Sequence, residues 1–152
     1  MNAILEPQII FSDDQLLILN KPAGWLTHPS GRSVAPAVTE WLIAHYPSLM
    51  TIGPAERLQT GAMIPRAGIL HRLDRETSGL LAVGKTNEAF AWFTRAFRER
   101  QAEKVYRAIV SGVVKPDDGV IDLPIGRSRR DPRRRVASHR ARGELRPALT
   151  RY

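Results

Sequence analysis

The sequence predicts an α+β fold, in which a mixed and largely antiparallel sheet has helices beside it. Two short apolar runs, 8–11 and 16–20, flank the turn-forming residues 12–14, and this pattern predicts an antiparallel hairpin. Residues 35–46 repeat apolar side chains at the i, i+3, i+4 spacing of an amphipathic helix, and so does the segment that follows Thr86. The length of 152 residues is that of one domain.

The second apolar run shows no alternation, so we expect a strand that is buried on both faces. Lys21-Pro22-Ala23-Gly24 ends it, because proline removes a backbone donor and glycine allows positive φ. Residues 25–32 are predicted to form a loop. Pro47 ends the first helix, and residues 48–67 show no clear period, which predicts mostly loop.

The second half of the chain alternates between strands and one helix. We expect a buried strand at 80–83, a helix capped by Thr86 or Asn87, and further strands at 104–110, 119–125 and 147–152. These strands are short and separated by glycine, proline or charged residues, as is typical of a largely antiparallel sheet.

Between the two halves lies the nine-residue block 71–79, His-Arg-Leu-Asp-Arg-Glu-Thr-Ser-Gly. Seven of its nine residues are polar or charged, which predicts an exposed or cleft-lining loop. A nearby arginine, Arg72 or Arg75, would keep the Asp74 carboxylate ionised, so that it serves as a nucleophile, a general base or an organiser of a phosphate site. The alternative is a surface salt-bridge cluster.

The charge of the chain indicates a polyanionic partner. The net charge is +8, and nine arginines against two acidic residues fall between Arg127 and Arg146. We interpret 127–146 as a basic arm that grips RNA phosphates, with Arg129, Arg130, Arg133, Arg134 and Arg135 as the contacting residues. A solvated loop between two strands is the alternative.

Other classes of site find little support. The absence of cysteine excludes disulfides and thiolate metal ligands, and the four histidines have no zinc-ligand spacing, so we predict no metal site. No apolar run reaches the length of a membrane span and no secretory signal is recognisable, so we expect a cytoplasmic protein with no membrane contact.

The block at 71–79 resembles the H-R-L-D-x-x-T-S-G motif of the RluA-type pseudouridine synthases, and it matches every fixed position. Three further patterns of that family have counterparts: K-P-x-G at 21–24, K-x-Y at 104–106, and, with Leu145-Arg146 where Gly-Lys is usual, G-K-P-A-x-T-x-Y at 145–152. The resemblance covers nearly all of the chain but only about the first two-thirds of the family's domain.

The resemblance implies the pseudouridine synthase fold across a single catalytic domain, 1–152. It implies an enzyme that isomerises specific uridines of structured ribosomal or transfer RNA to pseudouridine, as a monomer and without a cofactor. Asp74 would be the catalytic residue, as a nucleophile on the sugar or as a base. Arg72 would fill the space of the flipped nucleotide, and Tyr106 would stack on the target uracil.

A later arginine motif of the family has no counterpart, and neither do the strands that follow it. We therefore expect an N-terminal portion of the catalytic domain, incomplete at its C-terminus and without an N-terminal RNA-binding module. The alternative function is an inactive RNA-binding remnant of such an enzyme.

Overall fold

The computed structural model describes residues 5–30, 33–57, 61–131 and 134–152, and the chain divides into two compact units, Met1–Lys104 and Val105–Tyr152. The expectation of one catalytic domain over 1–152 stays a prediction. The first unit contains β1 Gln8–Ser12, β2 Leu16–Lys21, α1 Val38–His45, a 3₁₀ turn at Pro47–Thr51, β3 Glu56–Arg57, β4 Met63–Ile64, β5 Gly79–Gly84 and α2 Asn87–Arg98.

A three-stranded antiparallel sheet in the order β1-β2-β5 is the centre of the first unit. The turn between β1 and β2 is held by Asp13, whose carboxylate accepts the backbone N–H groups of Gln15 and Leu16 at 2.8 and 2.7 Å. Those two bonds lower the pKa of Asp13. The predicted hairpin is therefore confirmed, and its turn chemistry is that of a short acidic side chain bonding its own backbone.

The prediction that β2 is buried on both faces was wrong. Leu17 and Leu19 are fully buried, whereas Leu16 and Ile18 on the opposite face are half-buried. An antiparallel sheet can leave one face in water, and here only one face packs on the core. That core joins Leu17 and Leu19 to residues of α1, β5 and the loops around them: Trp25, Val38, Leu42, Leu49, Ile52, Ala67, Ile69, Leu73, Leu81 and Val83.

Helix α2 begins where the sequence predicts a start, whereas α1 begins at Val38, three residues after the start predicted at residue 35. The two helices are also capped differently. Thr86 caps α2, its hydroxyl accepting the Ala89 N–H at 3.1 Å. No side chain caps α1; the carbonyls of Leu26 and Thr27 accept the N–H groups of Val38 and Thr39 instead. Segment 26–27 therefore lies against the start of α1, and this arrangement matters for the site described below.

The second unit contains β6 Val120–Asp122, β7 Ile125–Arg127, β8 Arg135–Ala137, β9 Arg142–Arg146 and β10 Leu149–Arg151. β6 pairs with β10, and β7 lies between β8 and β9. The strand predicted at 104–110 is wrong: these residues form no ladder with any described strand, and Val105 and Ile109 are exposed. A strand needs a partner for its backbone groups, and alternating side chains do not supply one.

Candidate active site

The block 71–79 forms the loop that its composition predicts, and it leads directly into β5. His71 fixes the start of this loop. Its Nε2 accepts the Ala82 backbone N–H at 3.2 Å, and its ring lies against Phe97 with a centroid distance of 5.0 Å. Burial, and then the charge of Lys104, lower the pKa of His71, which favours the neutral ring that this bond requires.

Leu73 is held by both its side chain and its backbone. The side chain is buried in the core, and the Thr27 hydroxyl accepts the Leu73 N–H at 3.1 Å while donating to the Leu73 carbonyl at 2.8 Å. One hydroxyl can do both, because it has one proton and two lone pairs. The residue just before Asp74 is thus fixed at three points.

Lys21 holds the residue just after Asp74. Its side chain is 0% exposed, and its ammonium donates to the carbonyls of Pro22 at 3.0 Å, Trp25 at 2.8 Å and Arg75 at 3.1 Å. Burial lowers the pKa of Lys21, and the negative charges of Glu76 and Asp74 oppose this shift. A buried ammonium with three carbonyl partners therefore ties the loop to the 21–25 turn.

Asp74 itself is exposed between these two fixed residues. Its carbonyl closes a turn by accepting the Thr77 N–H at 3.0 Å. Among the described residues its carboxylate has neither an ion pair nor a hydrogen bond, and Arg75 pairs with Glu76 at 2.6 Å instead. The expected pairing of Asp74 with its flanking arginines is not formed, and Arg72 is likewise exposed. The loop therefore offers an accessible carboxylate on a fixed backbone, which suits a nucleophile or a base.

The remaining candidate residues belong to the second unit. Tyr106 is 61% exposed and lies outside any helix or strand. Arg129, Arg130 and Arg134 are exposed in the connection between β7 and β8, Arg135 begins β8, and Arg133 lies outside the described residues. Part of the predicted basic arm 127–146 therefore forms a sheet: Arg127 ends β7, and residues 135–137 and 142–146 are strands paired with it.

A row of arginines crosses this second sheet. The register places Arg127 opposite Arg135 on one side and opposite Arg142 on the other, so all three share one face at one end of the sheet. Like charges directly opposite each other destabilise a sheet. Three cations on one face of a sheet suit the binding of a polyanion, which would reduce this repulsion.

The described residues contain neither a cluster of metal ligands nor a helix suited to crossing a membrane. No group of three or more histidine, cysteine, aspartate or glutamate side chains within 5–30, 33–57, 61–131 and 134–152 is arranged to hold a metal ion. Neither α-helix in that part of the chain has the length and apolar content that a membrane crossing requires.

Comparison with known proteins identifies the family. The sequence profile of a family described as RNA pseudouridylate synthase matches residues 15–152. The chain belongs to this family. A ribosomal large subunit pseudouridine synthase D of Neisseria meningitidis is 38% identical over 142 residues, which are 93% of this chain and 34% of that protein. An uncharacterized RNA pseudouridine synthase of Aquifex aeolicus is 38% identical over 95% of this chain and 42% of its own length.

Solved structures agree on the fold of this pseudouridylate synthase chain. Human RNA pseudouridylate synthase domain containing 1 superposes with a TM-score of 0.68 at 21% identity, covering 95% of this chain and 50% of that one. The predicted pseudouridine synthase fold is thereby confirmed. The chain spans between about a third and about a half of the length of the relatives that it matches.

Sequence reasoning missed how this synthase loop is held. Lys21 was recognised within a motif, but a lysine after an apolar strand gives no sign that its ammonium is buried beneath another loop. Thr27 and Thr39, both buried, lie in segments that were predicted only as loop and helix. Hydrogen bonds between residues 46 or 54 positions apart leave no local pattern in the sequence.

Proposed function

We propose that the gene product carrying this sequence is an RNA pseudouridine synthase, and that Asp74 is its catalytic residue. The main observation behind this proposal is the accessible carboxylate of Asp74. The residues on either side of it are fixed: the Leu73 backbone is hydrogen-bonded to the Thr27 hydroxyl, and the Arg75 carbonyl to the Lys21 ammonium. Membership of the RNA pseudouridylate synthase family supports the reaction class. Reactivity requires a carboxylate of fixed position, and this loop supplies one.

The reaction breaks the N1–C1′ glycosidic bond of a uridine and joins C5 of the rotated uracil to the same C1′. N1 gains a proton, and the proton of C5 is released. Asp74 acts as a nucleophile at C1′ or as the base that begins an elimination. In this proposal the role of Arg72, an exposed residue two positions before Asp74, is to fill the space left by the flipped nucleotide. The role proposed for Tyr106 is to stack on the uracil.

We propose RNA as the partner, gripped by the arginine row and the connection that carries Arg129, Arg130, Arg133 and Arg134. The relatives' names refer to the ribosomal large subunit, so large-subunit ribosomal RNA is the first substrate to test and transfer RNA the second. We also propose that the protein acts as a monomer in the cytoplasm without a cofactor. Gel filtration tests the oligomeric state, and dialysis against a chelator before assay tests whether a metal cofactor is needed.

A second candidate is a non-catalytic RNA-binding remnant. It is favoured by the Asp74 carboxylate, which forms no ion pair with another described residue, since Arg75 pairs with Glu76. Tritium release from RNA labelled at C5 of uridine separates the two functions. An enzyme releases tritium from a defined site; a remnant binds the RNA and releases none.

A further inference from the structure

Thr27 and Thr39 stand out among the buried residues of the first unit. Their exposed fractions are 4% and 1%, and with Lys21 they are the polar side chains that the described core encloses. A buried hydroxyl is costly unless it is hydrogen-bonded, so each must have a partner. The partners form a continuous path of hydrogen bonds that begins beside Asp74.

The path begins at Leu73. The Thr27 hydroxyl bonds both backbone groups of Leu73, at 3.1 and 2.8 Å. The Thr27 carbonyl in turn accepts the Thr39 hydroxyl at 3.0 Å and the Thr39 N–H at 3.2 Å. Helix α1 therefore holds the backbone of Thr27, and the side chain of Thr27 holds the backbone of Leu73.

His28 completes the path and fixes its protons. Its Nδ1 lies 2.7 Å from the Thr39 hydroxyl oxygen. When the Thr39 hydroxyl donates its single proton to the Thr27 carbonyl, Nδ1 of His28 is the donor to the Thr39 oxygen. Nδ1 keeps that proton whether or not Nε2 is protonated. The path therefore persists across the titration of His28, unlike the His71 contact, which needs a free Nε2.

We propose that Thr27 is a positioning residue for Asp74, and that Thr39 and His28 keep its hydroxyl aimed at Leu73. This inference rests on the proposed function, in which Asp74 reacts. Thr27 contacts no reacting atom, but it fixes the backbone of Leu73, the residue that precedes Asp74. Loss of the hydroxyl frees the loop on one side of the carboxylate while Lys21 still holds the other side.

The experiment compares Thr27→Val, which keeps the shape and loses the hydroxyl, with Thr27→Ser, which keeps the hydroxyl. Both are made in the full-length gene product. Thr27→Val should lower protection of the Leu73 amide against hydrogen exchange about tenfold or more. It should lower single-turnover pseudouridine formation by about tenfold to a hundredfold, with the RNA Kd unchanged. Thr27→Ser should keep both near the wild-type values.

Equal turnover in Thr27→Val and wild type, or a loss that Thr27→Ser shares in full, overturns the proposal. If Thr27→Val does not fold, a comparison of Thr39→Val with Thr39→Ser tests the proposal instead. Thr39→Val is expected to fold, because the Thr39 N–H still donates to the Thr27 carbonyl. A slower Thr39→Val with a normal Thr39→Ser supports the path, and equal rates refute it. If the wild type forms no pseudouridine, the proposed function fails, and Leu73 exchange still decides whether Thr27 clamps the loop.

Discussion

The buried ammonium of Lys21 donates a hydrogen bond to the carbonyl oxygen of Arg75, 54 residues away, at 3.1 Å. The same carbonyl accepts the Gly24 N–H at 2.8 Å, so the turn after β2 and the loop before β5 share one acceptor. Strands β2 and β5 pair along their whole length, from Leu16 opposite Gly84 to Lys21 opposite Gly79. The Lys21 side chain thus adds a hydrogen bond between the two segments beyond the point where the β2–β5 ladder ends.

Lys21→Met should destabilise the first unit by about 1–3 kcal/mol, because the buried carbonyl of Trp25 loses its donor and the carbonyl of Arg75 keeps only the Gly24 N–H. Removing a buried charge offsets part of this loss but does not replace the donor to the Trp25 carbonyl. Lys85→Met is the matched control. Lys85 also donates to hydroxyl and carbonyl groups, but at an exposed site, where water replaces it. Urea unfolding followed by tryptophan fluorescence measures both, and equal midpoints would contradict this role for Lys21.

Gly68→Ala should be far more damaging than Gly24→Ala. Both glycines have positive φ, +71° and +89°, so both substitutions strain the backbone by about 1–2 kcal/mol. A Cβ at Gly24 meets nothing within 4 Å, whereas one at Gly68 would lie 2.1 Å from the Gly84 carbonyl oxygen. That carbonyl belongs to the end of β5, so only Gly68→Ala should loosen the strand. Similar melting temperatures for the two variants would refute the close packing.

The loop should loosen in acid through His71. The pKa of His71 is lowered from 6.5, so its contribution is fully present above pH 6.5 and is lost as the pH falls toward the depressed value. Protonation removes the acceptor for the Ala82 N–H. Protection of the Ala82 amide, corrected for intrinsic exchange, should fall over this range. His71→Gln, which keeps an acceptor but does not titrate, should show a smaller change; the same change would assign the effect elsewhere.

Arg135→Gln and Arg142→Gln should weaken RNA binding and stabilise the second unit. Each substitution should reduce the slope of log K against log salt by roughly 0.7 to 0.9, because one phosphate contact is lost. Each should also relieve repulsion from Arg127, which lies opposite both residues in the sheet. Arg151→Gln is the control, because Arg151 lies opposite Val120 in the other sheet. An unchanged salt slope would show that the row does not face RNA.

The sequence predicted most of the first unit, because its signals are local. The Asp13 turn, the Thr86 cap and the polar block before β5 each depend on residues a few positions apart. The prediction of a strand at 104–110 was wrong, because an alternating pattern of apolar residues does not show whether a partner strand exists. The basic arm at 127–146 was predicted from its charge, and charge does not show that part of this segment forms exposed antiparallel strands.

At the site, the motif identified Asp74 and Arg72, but not what holds them. The contacts of Lys21 and Thr27 with the loop connect segments that are distant in sequence, and a buried lysine or threonine is indistinguishable by type from an exposed one. Residue composition also suggested arginine partners for Asp74, whereas Arg75 pairs with its other neighbour, Glu76.

Tritium release by the Asp74→Asn variant of the full-length gene product is the measurement that tests the central claim most directly. Asparagine keeps the size of the side chain and removes the ionised oxygen, and the exposed position of Asp74 leaves folding unaffected. The substrate is ribosomal RNA labelled at C5 of uridine, from cells that lack the enzyme, with Glu76→Gln as a control on the same loop. Asp74→Asn should release no tritium while Glu76→Gln releases it at nearly the wild-type rate. Near-normal release by Asp74→Asn would contradict the assignment of Asp74 as the catalytic residue.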